Sequence, residues 1–534
     1  MRTVTCRIKE YIQPFERVLA FKELEAITTS TLVPVTGSDS PLTFKAQTDV
    51  SVSELCRTLA YWEMVEVDDE QRVTDQSLRE ATVNVVRNGI DLEQLRKSLP
   101  FGDQVALPNR RCLRYGTHGI HEYRGKFFPQ LVRALINISG TGKGGVVLDP
   151  MSGSGTTVVE AVLSGCEGLG VDMNPLSSLL GQTKADLLSA DPKRIAAEYQ
   201  KIRSRLLEPE PHVPPVLSYL NTLPEADQKY LKQWFAEEVL ASLDEIAELV
   251  RAAEYAPARS LMLISLSNII RSISWQKDDD LRVRKDIRLD VEIDPKKEFL
   301  EELGRSVRAV LAFLYQDGGL PKPKHTITPG DARKAAEIFS SYKGQVDVVI
   351  TSPPYATALP YLDTDRLSLY YLGLLEKSDH RRKDLEMIGN REIGERNRLA
   401  YLHAFHERSG ELPDSVVSLI NRIDTANRTS NAGFRRKNLS ALLAKYFFDM
   451  REVLQSTLEL LKPGGYAYLV VGNNHTVAGG EHVDIATASL LSDIGVSLGF
   501  VASPSISMEM LSSRDIFRKN AMKTEEIICL QKPV

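Results

Sequence analysis

At 534 residues, with 43% hydrophobic and 26% charged side chains, the chain has the composition of a globular protein and the length of two or three domains. No stretch is apolar for long enough to span a bilayer, and the charged opening Met1 to Glu10 lacks a signal-peptide core, so a cytoplasmic protein without membrane contact is expected. The five cysteines are scattered without CxxC or metal-ligand spacing, which argues against a metal site, and a formal net charge of −5 leaves any nucleic-acid binding to a local basic surface.

The first hundred residues carry no catalytic signature. Val50 to Leu59 reads as a helix, Met64 to Val67 alternates as a strand does, and a second helical run starts at Asp75. These elements predict an N-terminal α+β module over 1–110, either winged-helix-like and in contact with DNA or a plain docking domain.

An α/β pattern follows over 111–185. Val146-Val-Leu-Asp149 is a short apolar run ending in an acid, as a buried parallel strand would be. Pro150-Met151-Ser152-Gly153-Ser154-Gly155-Thr156-Thr157 comes next, then the helical stretch Val158 to Leu163 and a second acid-terminated strand, Gly168 to Asp172, followed by Met173 and Asn174. Glycines let the backbone approach a ligand, the helix N-terminus faces it, and the second acid can take both hydroxyls of a ribose. Gly153-Ser-Gly155-Thr lacks the third glycine of a dinucleotide site. A cofactor bearing a carboxylate, an amine and a sulfonium, but no pyrophosphate, fits better. Gly140-Thr-Gly-Lys143-Gly looks briefly like a phosphate loop, but it precedes the strand and has no Ser or Thr after its lysine, so it reads as a polar turn.

Residues 186–322 read as a helical insert, with helices over Pro192 to Leu207, Glu225 to Ala253, Ala258 to Ile273 and Pro295 to Tyr315. The core resumes over 323–375. The buried-strand run Val346 to Ile350 opens onto Thr351-Ser352-Pro353-Pro354-Tyr355. Two consecutive prolines freeze the backbone and remove two N–H donors. What remains is a rigid pair of acceptors, the Ser352 hydroxyl and the Pro353 carbonyl, beside an aromatic face. An exocyclic amine offers two N–H donors in the plane of a base, so two fixed acceptors would orient it while Tyr355 stacks on the ring.

Asp149-Pro-Met-Ser-Gly-Ser-Gly-Thr-Thr157 together with Ser352-Pro-Pro-Tyr355 resembles the motif pair of the DNA amino-methyltransferases, DPFxGSGTT and [DNS]PP[YF]. The Ser-Pro-Pro-Tyr form resembles the N4-cytosine members, whereas Asp-Pro-Pro-Tyr is more typical of the N6-adenine members. The resemblance covers about 117–180 and 325–534, with Met151 where the family usually has Phe. It implies a Rossmann-like class I methyltransferase core, α/β with a mostly parallel sheet, carrying helical inserts. S-adenosylmethionine is the implied cofactor, with Asp149 on its amine and Asp172 on its ribose. The stretch His121 to Pro129, with Lys126, Phe127 and Phe128, resembles the segment whose aromatic closes over the cofactor's methionine part. Gly330-Asp331-Ala332 resembles the segment whose acid reads the adenine amine. Leu461 to Val471 resembles the turn and strand after the catalytic strand, and Glu526 to Leu530 a last strand within a core segment over 446–534.

With this motif order, the resemblance implies a target-recognition region in the first insert, where Arg282, Arg284 and Lys285 lie near Trp275. A second insert over 376–445 holds Arg381, Arg382 and Lys383, and then Arg435, Arg436 and Lys437. Basic clusters in the inserts of an otherwise acidic protein point to duplex DNA as partner, since phosphate contacts supply most of the affinity. A base inside a duplex must be flipped out to react. C5-cytosine methylation needs a cysteine after a proline, and none of Cys6, Cys56, Cys112, Cys166 or Cys529 has one. The expected activity is therefore methylation of cytosine N4 in duplex DNA, within a restriction-modification or defence system with a cognate endonuclease. N6-adenine methylation, an RNA or protein-glutamine methyltransferase, and a silent cofactor- and DNA-binding subunit are the alternatives.

Overall fold

The computed structural model describes the whole chain except residues 36–41, 69, 88–90, 102–105, 124, 126–127, 209–216, 278–283, 288–292, 320, 357–360, 429–432 and 510–523. Lys126, Phe127 and Arg282 thus lie outside the described residues.

The N-terminal segment forms an antiparallel sheet from β1 (Arg2–Ile8), β2 (Val33–Pro34), β3 (Thr43–Thr48), β4 (Trp62–Val67) and β5 (Glu70–Val73), in the order β2-β3-β1-β4-β5. Alternation in β1 buries Val4, Cys6 and Ile8 on one face. Helices Pro14–Thr28, Val52–Thr58 and Asp75–Arg87 accompany the sheet. The sequence reading found the last two helices and β4, and did not resolve β1, β3 or Pro14–Thr28.

The central sheet has seven strands: β6 (Val146–Asp149), β7 (Glu167–Asp172), β8 (His325–Pro329), β9 (Val346–Thr351), β10 (Leu461–Gly472), β13 (Val501–Glu509) and β14 (Thr524–Gln531), with a separate hairpin of β11 (Asn474–Ala478) and β12 (Glu481–Ile485). The order is β13-β14-β10-β9-β6-β7-β8. Strands β6 to β10 are mutually parallel, and β14 is antiparallel to both of its neighbours. This is the mostly parallel, Rossmann-like class I methyltransferase arrangement the sequence led us to expect.

Both faces of the sheet are covered, which is why its strands read as continuous apolar runs. Val147, Val348, Ile350 and Val470 point to one face, sharing a core with helix Pro129–Ile138 and with Val4, Leu19 and Trp62 of the N-terminal segment. Leu148, Val349, Leu469 and Val471, each next to one of these, point to the other face and pack with helices Phe434–Leu460 and Thr487–Ser497. The N-terminal sheet is therefore welded to the central sheet by a common core.

The region expected to be one helix from Glu225 to Ala253 is two, Glu225–Leu231 and Glu237–Arg251. Between them Phe235 is buried and the Trp234 carbonyl accepts from the Trp275 amide at 2.8 Å, a pairing that a continuous helix would forbid.

The chain runs from β6 outward to β7 and β8, then crosses back to β9 on the other side of β6. The strand order reverses between β6 and β9, and the crevice at their carboxyl ends is where ligands bind in open α/β sheets.

Candidate active site at the sheet's switch point

The two motifs that stand 200 residues apart in sequence emerge side by side. β6 pairs with β9 through Val147↔Val348 and Leu148↔Val349. The Thr157 hydroxyl ties the turns together, lying 2.8 Å from Asp149 Oδ2 and 3.2 Å from the Ile350 carbonyl. Asp149 and Asp172 end β6 and β7, Asp331 follows the adjacent β8, and the Gly330 amide bonds the Asp172 carbonyl at 2.9 Å.

The glycine turn is fixed by sterics. Gly155 has φ of 81°, and a β-carbon there would stand 2.5 Å from Gly181 Cα, so only glycine lets helix Thr156–Leu163 pack this close to helix Pro175–Asp186. Gly153 has φ of 49° and lies under the ring of Tyr123, whose Cε1 would be 3.1 Å from an added β-carbon. The Tyr123 hydroxyl meets Ser177 Oγ at 2.8 Å. Tyr123 is thus the aromatic placed at the turn, and sequence reasoning missed it although it lies in the quoted stretch His121 to Pro129. Phe128 has a different setting. Its ring carries the Arg111 guanidinium at 4.5 Å and lies 6.5 Å from Phe15, so it packs with the N-terminal segment.

Asp149 is fully buried and accepts from the Met151 amide at 3.1 Å as well as from Thr157. Asp172 accepts from the Gly153 amide and the Asn174 amide, each at 2.8 Å. Burial pushes both carboxyls up to about 6, against the hydrogen bonds that favour the ionised form. Ser152 and Ser154 are buried with no hydrogen-bond partner for either hydroxyl. Two acids short of a cation and two orphan hydroxyls around a glycine turn match a ligand with an amine and vicinal hydroxyls. Met151 packs toward the apolar cluster of helix Phe434–Leu460, and Pro150, Thr156 and Thr157 are buried beside it. Met173 is half-buried, while Asn174 caps the next helix at the Leu176 amide, 3.0 Å, and reaches Asp365 at 3.2 Å.

Asp331 is engaged more heavily than the sequence suggested. Arg333 grips both of its oxygens, at 2.6 to 3.0 Å, and also reaches Asp449 at 2.7 Å. Ala332 is buried behind it.

At the Ser-Pro-Pro-Tyr turn the Ser352 hydroxyl donates to the Val470 carbonyl of β10 at 3.1 Å. Its single proton is spent there, so the oxygen presents lone pairs to the crevice. Among the described residues no backbone donor takes up the Pro353 carbonyl. Pro353 is buried, and Pro354 and Tyr355 are half-buried. The Tyr355 phenol donates to Glu525 on β14. Gly389, with φ of 76°, brings the second insert onto the turn: a β-carbon there would be 3.0 Å from Pro354 Cβ and 3.1 Å from the Tyr355 carbonyl.

The basic clusters fall in two places. Arg381 and Arg382 are exposed on helix Lys377–Glu386 and Lys383 is half-buried, while Arg435, Arg436 and Lys437 are exposed on the first turn of helix Phe434–Leu460. Leu385, Ile393, Ala441 and Leu442 join the two helices in one apolar cluster, and Arg435 bridges to Glu392 at 3.0 Å. Arg284 and Lys285 are exposed elsewhere in the first insert, with the Lys285 ammonium 4.9 Å from the Trp275 ring centre. Arg382 is paired internally with Asp379 and Glu386. Among the described residues no helix is long and apolar enough to cross a membrane, and no group of three or more His, Cys, Asp or Glu is set to hold a metal.

The model of an RMKL-like methyltransferase domain matches residues 121–186, which span the glycine turn and both strand-terminal acids. The chain is 25% identical to the Type II methyltransferase M.MvaI of Kocuria varians over 393 residues, 71% of this chain and 80% of that one. It is 24% identical to the Type II methyltransferase M.BsoBI of Geobacillus stearothermophilus over 449 residues, 75% and 84% of the two chains. Among solved structures it is similar to the rRNA methyltransferase aviRa of Streptomyces viridochromogenes, at 10% identity and a TM-score of 0.29 over 77% of this chain and 88% of that one. The fold assignment rests on the strand order. Residues 121–186 thus match a methyltransferase domain, and over most of its length the chain is similar to Type II methyltransferases.

Proposed function

We propose that the protein methylates the exocyclic N4 of a cytosine flipped out of duplex DNA, with S-adenosylmethionine as cofactor, and that it is the modification half of a restriction-modification system. The observation that carries this reading is the Ser352 hydroxyl, whose proton goes to the Val470 carbonyl so that only acceptor capacity faces the crevice. S-adenosylmethionine supplies a methyl group on a sulfonium. The chain's residues do the rest by positioning. Asp149 would hold the cofactor amine and Asp172 its ribose hydroxyls, with Tyr123 covering the glycine turn and the Ser152 and Ser154 hydroxyls finding partners. Asp331 would accept from the adenine amine while Arg333 fixes its plane. Ser352 Oγ and the Pro353 carbonyl would accept the two N–H donors of the target amine, drawing its lone pair out of ring conjugation and onto nitrogen. Tyr355 would stack on the flipped base. No covalent bond between enzyme and base is required.

The exposed cations Arg381, Arg436 and Lys437 would meet backbone phosphates, and Arg284 and Lys285 would contact a second stretch of the duplex. The Type II names of the relatives favour a partner nuclease acting at the same site. Transfer of labelled methyl to unmethylated duplex DNA, compared with RNA and protein acceptors, tests the substrate class: label should enter the duplex alone. Label in RNA or protein instead would refute the reading, and label in none of them would favour a silent binding subunit.

A further inference from the structure

A cavity of about 810 Å³ lies at the end of the central sheet opposite the switch point. One wall is made of turns that precede parallel strands, Gly140 to Lys143 ahead of β6, Ser164 and Gly165 ahead of β7, and Pro321 to Pro323 ahead of β8. The facing wall comes from helices Val52–Thr58 and Asp75–Arg87 of the N-terminal segment. The proposed methyl transfer uses none of these residues.

The cavity's cations are Arg57, Arg79, Lys143 and Lys322, and its anions are Glu54, Asp75 and Asp317. Lys322 and Asp317 satisfy each other at 2.6 Å. Arg79 is only 8% exposed, and its Nη1 has no hydrogen-bond partner. Among the described residues it forms no ion pair, although Asp75 stands one turn earlier on the same helix. Arg133, the neighbouring buried guanidinium, is paired with Glu160 at 2.8 Å. A guanidinium cannot shed its proton to escape burial, so an unpaired one calls for an anion from elsewhere. Lys143 stands on the exposed glycine-rich turn with its stem over Gly165, where an added β-carbon would be 3.0 Å from Lys143 Cγ. That turn is no nucleotide-hydrolase loop, but it delivers a second cation to the cavity. Ile27, Leu78 and Leu163 supply an apolar wall.

We propose that this cavity binds a small phosphorylated molecule of mononucleotide size, with the phosphoryl group between Arg79, Arg57 and Lys143 and the rest on the apolar wall. The volume falls in the ordinary range for small-molecule sites. Since the cavity lies between the N-terminal sheet and the central sheet, its ligand would stabilise their union.

Calorimetry on the full-length protein with inorganic phosphate and with uridine 5′-monophosphate, and with uridine as the phosphate-free control, tests this. Binding of the monophosphate at least tenfold tighter than uridine is expected. Lys143→Ala, on an exposed turn, should weaken it at least fivefold and leave S-adenosylmethionine affinity unchanged. Arg79→Gln should remove it in protein whose circular dichroism is intact, and where that variant fails to fold Lys143→Ala decides. No binding of either phosphate compound at millimolar concentration, equal binding of uridine, or equal binding by Lys143→Ala would overturn the proposal. So would loss of the monophosphate in Asp172→Ala with retention in Lys143→Ala, which would place it in the cofactor crevice.

Discussion

The Tyr355 phenol donates to the carboxylate of Glu525, joining the turn after β9 to the first residues of β14. Burial raises the Glu525 pKa, against the pull of the tyrosine hydrogen bond. The ring proposed to stack on a base is therefore held by its hydroxyl as well as by its packing. Tyr355→Ala should depress turnover and spare cofactor affinity, since stacking is worth about 1–3 kcal/mol per base. Tyr355→Phe keeps the stack but frees the ring and strands Glu525, so its turnover should fall between wild type and Tyr355→Ala. Single-turnover kinetics with parallel cofactor calorimetry check the order, and a Tyr355→Phe variant slower than Tyr355→Ala would contradict it.

Ser352→Ala removes an acceptor that the Val470 carbonyl holds in place. By analogy with loss of one transition-state hydrogen bond, methyl transfer should slow by about tenfold to a thousandfold. Cofactor affinity should stay as it was. A rate within twofold of wild type in single-turnover measurements would remove Ser352 from the mechanism.

On the proposed assignment, Asp149 and Asp172, both pushed up to about 6, would give cofactor binding a pH dependence. A cationic amine binds the ionised carboxylate, so binding releases protons where the acids are protonated in the free protein. Affinity should fall as pH drops below about 6 and level off above it. Asp172→Ala should weaken binding at pH 8 by about 1–3 kcal/mol through lost charge-assisted hydrogen bonds. Calorimetry between pH 5 and 8 reads both effects, and an affinity that stayed flat across pH 6 would refute the assignment of the acids.

Gly155→Ala tests the turn. Its β-carbon would clash with Gly181 in a backbone region that suits glycine alone. A cost of about 1–3 kcal/mol from strained backbone and a similar amount from overpacking is expected, read as a lower urea midpoint.

Neutralising Arg381, Arg382 and Lys383 should weaken DNA binding and flatten its salt dependence by up to about one unit of slope per lost contact. Arg382 is already shared between Asp379 and Glu386, so Arg381→Ala alone should matter more than Arg382→Ala. Salt titrations of each variant distinguish the two, and an unchanged slope in the triple variant would exclude this helix as a DNA surface.

The central strands and both motif turns were legible because a strand covered on both faces reads as an apolar run, and because acids, glycines and prolines mark its carboxyl end. The N-terminal helix Pro14–Thr28 was not. It buries Glu16 and Glu23 among its apolar residues, and their partners Arg111 and Asn137 lie about a hundred residues away, so the pattern looks broken until the fold is known. Tyr123 and Glu525 escaped for a similar reason. Each acquires its place through one contact across the fold, Tyr123 on Gly153 and Glu525 on Tyr355, and neither contact leaves a local spacing to read.

The central claim is that Ser352, Pro353 and Tyr355 present cytosine N4 for methylation. Its most direct test is incubation of the full-length protein with S-adenosylmethionine and unmethylated duplex DNA, digestion to nucleosides, and mass spectrometry. The account predicts N4-methyldeoxycytidine, lost or strongly reduced with Ser352→Ala. N6-methyldeoxyadenosine in its place would contradict the base assignment, and neither product, with cofactor and DNA both bound, would contradict the claim outright.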